Sequence, residues 1–329
     1  MKYVLMVPLR RCGSNAIRLR MNLHPDFYSP YPLHLCDMKE KEKTYEDDLD
    51  YFQLVVDMVG LQKHSLVSWE GLVFDPVDIF KSIKDKPRSI YQIYWEMLSR
   101  VGQKNNAKVI MDKCQDSVCD FEEMVELFPE MLFLDVVRDP RAQISSMNDA
   151  IIYDFDTQLN TMRWVEARKW SDKIHEKYPN KILTIRYEDF ILNHEETMMR
   201  ICKFVGIEFD PIVLDVEKSR EAFIMSRTSP LWETNYSMPI PGYINKYMNN
   251  LSRLEIEQIE NKTMEWMKKY NYAPITPHKS PFFYSIKQAT MESDEKKEKI
   301  WEALRKKHPH DYILRKSRMR YINSVKKNL

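Results

Sequence analysis

Four short apolar runs constrain the fold of this chain more than any other feature. They are residues 3–8 (YVLMVP), 108–111 (KVIM), 131–137 (MLFLDVV) and 181–185 (KILTI). Each is compact rather than alternating, the pattern of strands buried on both faces. Helical periodicity lies between them, over residues 14–22, 88–100, 156–178 and 195–204; in the second, Ile90, Tyr94, Met97 and Val101 recur at helical spacing. Strands alternating with helices predict an α/β fold, a three-layer α/β/α sandwich around a central parallel sheet. Ligands in such sheets bind beyond the carboxyl ends of the strands. The segments that follow each apolar run are therefore where function is sought.

The chain has 329 residues, 43% of them hydrophobic and 30% charged, enough for a large core under a solvated surface. A net charge of +1 gives the whole molecule no electrostatic hold on nucleic acid. Charge is nevertheless uneven. Residues 276–329 carry 14 Lys and Arg against 6 Asp and Glu, a local balance of +8. Two helical patterns lie there, over 292–307 and 311–327. The expected organisation is a main domain over 1–275 and a basic helical extension over 276–329, solvated and packed on that domain. Five cysteines (Cys12, Cys36, Cys114, Cys119, Cys202) at irregular spacing form no C-x-x-C pair. Free thiols in a reducing, cytoplasmic setting are expected, with no metal site. No apolar run reaches the length of a transmembrane segment.

Only 6 glycines occur, so each is expected where the backbone requires one. Gly13 lies in Arg10-Arg11-Cys12-Gly13-Ser14-Asn15, between the first strand and the first helix. A turn that opens a helix presents N–H groups and the positive end of the helix dipole, which together trap anions. Ser14 and Asn15 add short polar side chains, and Arg10 and Arg11 add charge. The loop is not a Walker A sequence: it lacks the second glycine and the Lys-Ser/Thr ending. A capped helix without ligand is the bland alternative.

The run FLDVVRDPRAQISSM starts as a strand and breaks at Asp139-Pro140, a helix start with Asp139 as N-cap and Pro140 in the first turn. Arg138 therefore stands at a strand's carboxyl end, with Ser145 and Ser146 further along the helix. Arg138 and Ser146 can converge on one phosphate, charge from one and a hydroxyl from the other. The competing reading pairs Arg138 with Asp135 or Asp139.

A strand, a basic Gly-containing loop and a helix, followed by V-V-R-D-P-R-A-x-x-x-S, resemble the sulfotransferase family. The resemblance runs from the first strand to about Tyr272. It includes Arg186-Tyr187-Glu188-Asp189 after a strand and Ile201–Ile207 in the next helix; His24-Pro25-Asp26 is similar to the branch of protein-tyrosine and bacterial glycan or small-molecule sulfotransferases. The resemblance implies a P-loop-like fold. It also implies transfer of a sulfuryl group from 3′-phosphoadenosine-5′-phosphosulfate (PAPS), without a metal. Carried over, Arg11, Cys12, Gly13, Ser14 and Asn15 hold the 5′-phosphosulfate and Arg138 and Ser146 the 3′-phosphate. Tyr187 lies near the adenine end.

This sequence departs from the family in having Ser14-Asn15 where Thr-Thr or Thr-Ser is common. It also lacks the Gly-rich C-terminal clamp of the aryl and steroid branch, and there Lys246 is the implied late cation, with Ser226 and Arg227 as weaker candidates. Lys113 matches a family lysine, though Gln115 replaces a usual proline. Arg11 and Lys113 are the implied stabilisers of the leaving phosphate. A general base must take the acceptor's proton. His34, in the Pro-broken segment YSPYPLHLCD, is the candidate, ahead of His24, His64 and Glu70. Tyr28, Tyr31, Tyr91, Tyr94 and Trp95 are candidate walls of an acceptor pocket, with Tyr94 better read as core. The expected acceptor is a small molecule or glycan. A small-molecule kinase and a non-catalytic nucleotide-binding protein are the competing functions.

Overall fold

The computed structural model describes residues 1–35, 38–39, 47–69, 71–277 and 286–327. Cys36 and Glu70 lie outside them. Five parallel strands form one sheet in the order β2-β3-β1-β4-β5: β1 (Lys2–Val7), β2 (Phe27–Tyr28), β3 (Val109–Asp112), β4 (Leu132–Val137) and β5 (Ile182–Arg186). Four of these are the apolar runs of the sequence. The two-residue edge strand β2 has no such run and was not expected.

Both faces of the sheet are covered, as continuous apolar strands require. Along β1, Leu5 and Val7 enter one core with helices α2 (Asp48–Lys63), α4 (Ile90–Lys104) and α5 (Phe121–Leu127). Val4 and Met6 enter the opposite core with α1 (Ser14–Met21), α8 (Tyr187–Leu192) and α9 (His194–Val205). A further cluster joins α6 (Pro140–Asn148) and α7 (Thr157–Lys177) to α12 (Arg253–Lys269). Helix α3 (Pro76–Ile83) packs beside α2 and α4; α10 (Arg220–Thr228) and the single turn α11 (Tyr247–Asn250) complete the body.

The topology sets the site. After β1 the chain builds β2 and β3 on one side; it then crosses to β4 and β5 on the other. The connections after β1 and β4 part company there, and Val7 pairs with Asp135 across the two strands. The crevice above this pair is the switch point at which α/β sheets bind ligands.

The last two helices, α13 (Ile286–Lys307) and α14 (Pro309–Lys327), pack on the body. Ser293 Oγ accepts from the Phe155 amide at 3.0 Å, and Ser229 Oγ donates to Asp311 at 2.7 Å. Tyr321 donates to the Asp57 carbonyl at 3.0 Å and stacks on His64. Gly60 makes room for that ring: a Cβ there would come within 2.0 Å of the Tyr321 hydroxyl oxygen. Gly242, by contrast, faces open space and meets no such need.

Within β4, the fully buried Asp135 accepts from Arg168, from Ser171 Oγ (3.0 Å) and from Thr184 Oγ1 (3.2 Å), and lies 3.3 Å from His175 Nε2. Burial alone would raise its carboxyl; Arg168 and His175 outweigh that and hold it down at about 2. A depressed carboxylate stabilises the fold above its ordinary value and loses that contribution as pH falls through the folded value. Removing the cation leaves an uncompensated buried charge. Arg168→Met is therefore expected to cost about 3–5 kcal/mol near neutral pH in urea unfolding. The gap from the parent protein should narrow as pH falls through about 2, where the parent's carboxyl takes up its proton as well. A loss below about 1 kcal/mol, the range of an exposed ion pair, would contradict this account.

Candidate active site

The loop after β1 is held from outside by side-chain amides. Gln143 Nε2 donates to the Arg10 carbonyl at 2.9 Å, and Gln115 Nε2 to the Leu9 carbonyl at 3.0 Å. Trp164 in turn fixes Gln143, donating to its Oε1 at 2.9 Å. Because N–H and C=O point oppositely in a trans peptide, the amides of Arg10 and Arg11 face the other side of the turn. Gly13 caps α1 with φ +91°, and a Cβ there would lie 2.2 Å from the Tyr187 ring. Both the left-handed backbone and the close approach demand glycine.

Arg138, at the end of β4, donates from Nη1 to the Arg11 carbonyl at 3.0 Å, and its guanidinium lies 4.6 Å from the centre of the Tyr187 ring. Tyr187 is thus packed against both Gly13 and Arg138. Arg11 donates from Nε to Ser146 Oγ at 3.1 Å and from Nη1 to the Leu231 carbonyl at 3.2 Å. Burial and the neighbouring Arg138 push the Arg11 guanidinium down to about 10, and it stays cationic at neutral pH. Neither carboxylate that competes for Arg138 in the sequence engages it. Asp139 caps α6 and pairs with Arg141 at 2.6 Å, and Asp135 pairs with Arg168. The Nε of Arg138 is buried without a hydrogen-bond partner.

Two cavities of about 530 and 500 Å³ open over this crevice and share Arg11, Arg138 and Tyr187 as walls. Gly13, Ser14, Asn15, Lys113 and His34 line the first; Ser145, Ser146 and Lys246 line the second. Lys113 is buried. Burial pushes the neighbouring Asp112 carboxyl up to about 7, against the hydrogen bonds from Tyr94 and the Cys114 amide and the charge of Lys113. Cys12 is the exception in its loop. Its side chain is fully buried in the core with Val4, Met6 and Ile17, and it lines neither cavity.

A sulfotransferase-family model matches residues 4–211, which includes both cationic loops. The chain belongs to the sulfotransferase family. Among curated relatives, it is 24% identical over 216 residues to a protein-tyrosine sulfotransferase of Drosophila melanogaster, covering 63% of this chain and 38% of that protein. It is 36% identical over 132 residues to protein-tyrosine sulfotransferase 2 of Gallus gallus, covering 37% and 34%. The chain spans little more than a third of the length of these relatives. Among solved structures, the fold resembles the sulfotransferase domain of the Synechococcus PCC 7002 olefin synthase (TM-score 0.58, 18% identity, 84% of this chain and 95% of that one). It also resembles the sulfotransferase domain from the curacin biosynthetic pathway (TM-score 0.56, 16% identity, 83% and 98%). The α/β/α sandwich around a parallel sheet is the fold of this family.

Other candidate residues of this sulfotransferase-family chain fall elsewhere. His24 is structural: it lies 2.7 Å from the Glu208 carbonyl and accepts from the Asp26 amide. His64 stacks on Tyr321 and lines neither cavity. Ser226 donates to the Phe223 carbonyl, and Arg227 covers the Phe223 ring; neither reaches the crevice. Of the aromatic candidates, Tyr31 lines the first cavity, whereas Tyr91, Tyr94 and Trp95 are core. No helix among the described residues is long and apolar enough to cross a membrane.

The sequence reading missed Lys297, Trp301, Arg315 and Arg318, which bring the last two helices into the wall of the first cavity. The expectation was of solvated helices packed on the main domain; lining this cavity is an addition to it. The sign was present: Arg315 and Arg318 fall on the stripe Asp311, Arg315, Arg318, Ile322, Val325, all buried. Gly13→Ala is expected to strain the loop, because it needs both a left-handed backbone and a displaced Tyr187 ring. Thermal unfolding should show a loss of about 1–3 kcal/mol. Stability equal to that of the parent chain would contradict the packing described.

Proposed function

We propose that this protein transfers a sulfuryl group from PAPS to a hydroxyl or amine of an acceptor. The observation that carries this reading is the joining of two guanidiniums, Arg11 and Arg138, above one crevice, unpaired with any carboxylate among the described residues. Two like charges held this close favour an anion between them. Arg138 also keeps one buried donor unused, which fits a phosphate oxygen.

PAPS, when bound, supplies the sulfuryl group and a bisphosphate leaving group. In this reading the amides at Gly13 and the start of α1, with Ser14, Asn15 and Arg11, hold the 5′ side. Arg138 and Ser146 hold the 3′-phosphate, with Lys246 beside them. Tyr187 forms the wall between, and its contact with Gly13 keeps the loop in its binding shape. Lys113 and Arg11 place positive charge where negative charge develops on the leaving phosphate, an arrangement worth most in a site that excludes water. His34 lines the same cavity and takes the acceptor proton. Among the described residues no carboxylate lines that cavity, which supports an imidazole in this role. Residues 276–329 serve as an extension that completes the site.

Adenosine 3′,5′-bisphosphate should raise the melting temperature, and Mg–ATP should not. Stabilisation by Mg–ATP alone would favour the kinase reading. Arg138→Ala should weaken the bisphosphate by about ten- to a hundredfold, the value of a charge-assisted hydrogen bond, while adenosine 5′-monophosphate changes little. Equal weakening of both nucleotides would remove Arg138 from the 3′-phosphate.

His34→Ala should lower the transfer rate by about 100- to 10,000-fold and leave bisphosphate affinity near that of the parent. In the parent the rate should fall on the acid side, since a protonated imidazole cannot accept a proton. An unchanged rate and pH profile in the variant would exclude His34 as the base.

A further inference from the structure

His34 sits in a backbone that histidine does not adopt freely. Its φ is +52°, in the left-handed region, which glycine enters at no steric cost and a residue with a Cβ does not. Such a residue persists only where its surroundings over-determine it, and these positions gather at functional sites. Leu33 and Leu35, on either side, are fully buried in the core shared with α2 and α4. His34 between them lines the first cavity.

Each peptide unit is a rigid plane, so φ and ψ of His34 are the settings of the plane before it and the plane after it. Both planes are tied down. The Leu33 carbonyl, in the plane before, accepts from Arg318 of α14. The Leu35 amide, in the plane after, donates to Cys114 Sγ at 3.2 Å. One plane earlier, the Leu33 amide donates to the Tyr94 hydroxyl at 3.4 Å. The Tyr31 carbonyl accepts from Trp69 Nε1 at 2.8 Å and anchors the start of the segment. The ties converge again behind it. Asp112 Oδ1, at the end of β3, accepts from the Tyr94 hydroxyl and from the Cys114 amide, both at 2.9 Å. Lys113 lies between Asp112 and Cys114 in the chain. One buried carboxylate therefore stands behind both the candidate base and the candidate leaving-group cation.

Resting on the sulfuryl-transfer reading, we propose that Tyr94, Asp112, Cys114 and Arg318 are positioning residues of that reaction. They hold His34 in its left-handed backbone and so fix where its imidazole meets the acceptor hydroxyl. Tyr94, Asp112 and Cys114 line neither cavity, so their influence on the chemistry runs through the segment they hold. A general base works only within hydrogen-bond reach of the proton it takes, and a displacement of about 1 Å costs up to about 100-fold in rate. The loss on releasing the segment is bounded by what the base itself contributes. Arg318 brings α14 into this arrangement, so the C-terminal extension sets the base as well as walling the cavity.

The test uses the full chain and two readouts. The first is thermal melting without nucleotide. His34→Gly and His34→Ala both remove the imidazole, but only glycine is at ease in a left-handed backbone, so His34→Gly should melt higher. Adding Arg318→Met frees the plane before residue 34, and the difference should shrink. The second readout is release of sulfate from PAPS with water as the acceptor. The water oxygen bonds to sulfur, the bond from sulfur to the bridging oxygen breaks, one water proton passes to His34 and adenosine 3′,5′-bisphosphate leaves. Tyr94→Phe and Arg318→Met should each lower kcat by about 10- to 100-fold, with bisphosphate affinity near that of the parent. Arg318→Lys, which still offers the carbonyl a donor, should recover most of the rate. On the His34→Ala background neither substitution should cost more than about twofold further, because both act through the imidazole already removed. His34→Ala melting as high as His34→Gly would overturn the proposal. So would parental turnover in Tyr94→Phe and Arg318→Met, or an undiminished loss on the His34→Ala background, the mark of a purely structural role. The two readings fail separately. If the parent does not bind the bisphosphate, the sulfuryl-transfer reading falls; if it binds and any of these contrary results appears, only the positioning role falls.

Discussion

The hydrogen bond from Arg138 to the carbonyl of Arg11 joins the two halves of the site. One partner ends β4 and the other lies in the loop after β1, neighbouring strands whose connections part at the switch point. The bond fixes one guanidinium beside another, and the proximity costs Arg11 part of its affinity for its proton. A fold tolerates such a cost when another function demands it. Tyr187 depends on the same arrangement. Its ring fills the space that only glycine at position 13 leaves open, and it supports the Arg138 guanidinium from the other side.

Three carboxylates near this centre are committed elsewhere. Asp135 is satisfied beneath the sheet, Asp139 is spent on the α6 cap and Arg141, and Glu188 accepts from the Asp139 amide and from Tyr272. These acids hold the fold, whereas Arg11 and Arg138 stand together above the strand ends with no ion pair to a carboxylate among the described residues. Net charge, which averages over both populations, conceals this.

Much of this was legible in the sequence because β1, β3, β4 and β5 carry their burial on their faces. Continuous apolar runs leave little ambiguity, and Asp139-Pro140 marks a helix start that the structure reproduces. Gly13 stood out in a chain so poor in glycine. The two-residue β2 has too few residues to show a pattern, and it pairs along the edge of β3. The side chain of Cys12 turns into the core although its loop neighbours line the first cavity, because adjacent side chains in a turn can face opposite ways. The role of the last two helices was hidden for another reason. Interspersed acids made α13 look like a solvated surface, whereas Lys297 and Trp301 share its inward side with Ser293 and Leu304. Which face of a charged helix turns inward is decided by the body it packs on, and this one packs over a cavity.

The most direct test of the central claim is a crystal structure of the protein with adenosine 3′,5′-bisphosphate. The account predicts the 3′-phosphate between Arg138 and Ser146, the 5′-phosphate over the Gly13 turn beside Arg11, and a base edge near Tyr187. A nucleotide seated away from the β1–β4 crevice, or one whose 3′-phosphate faces solvent, would contradict it.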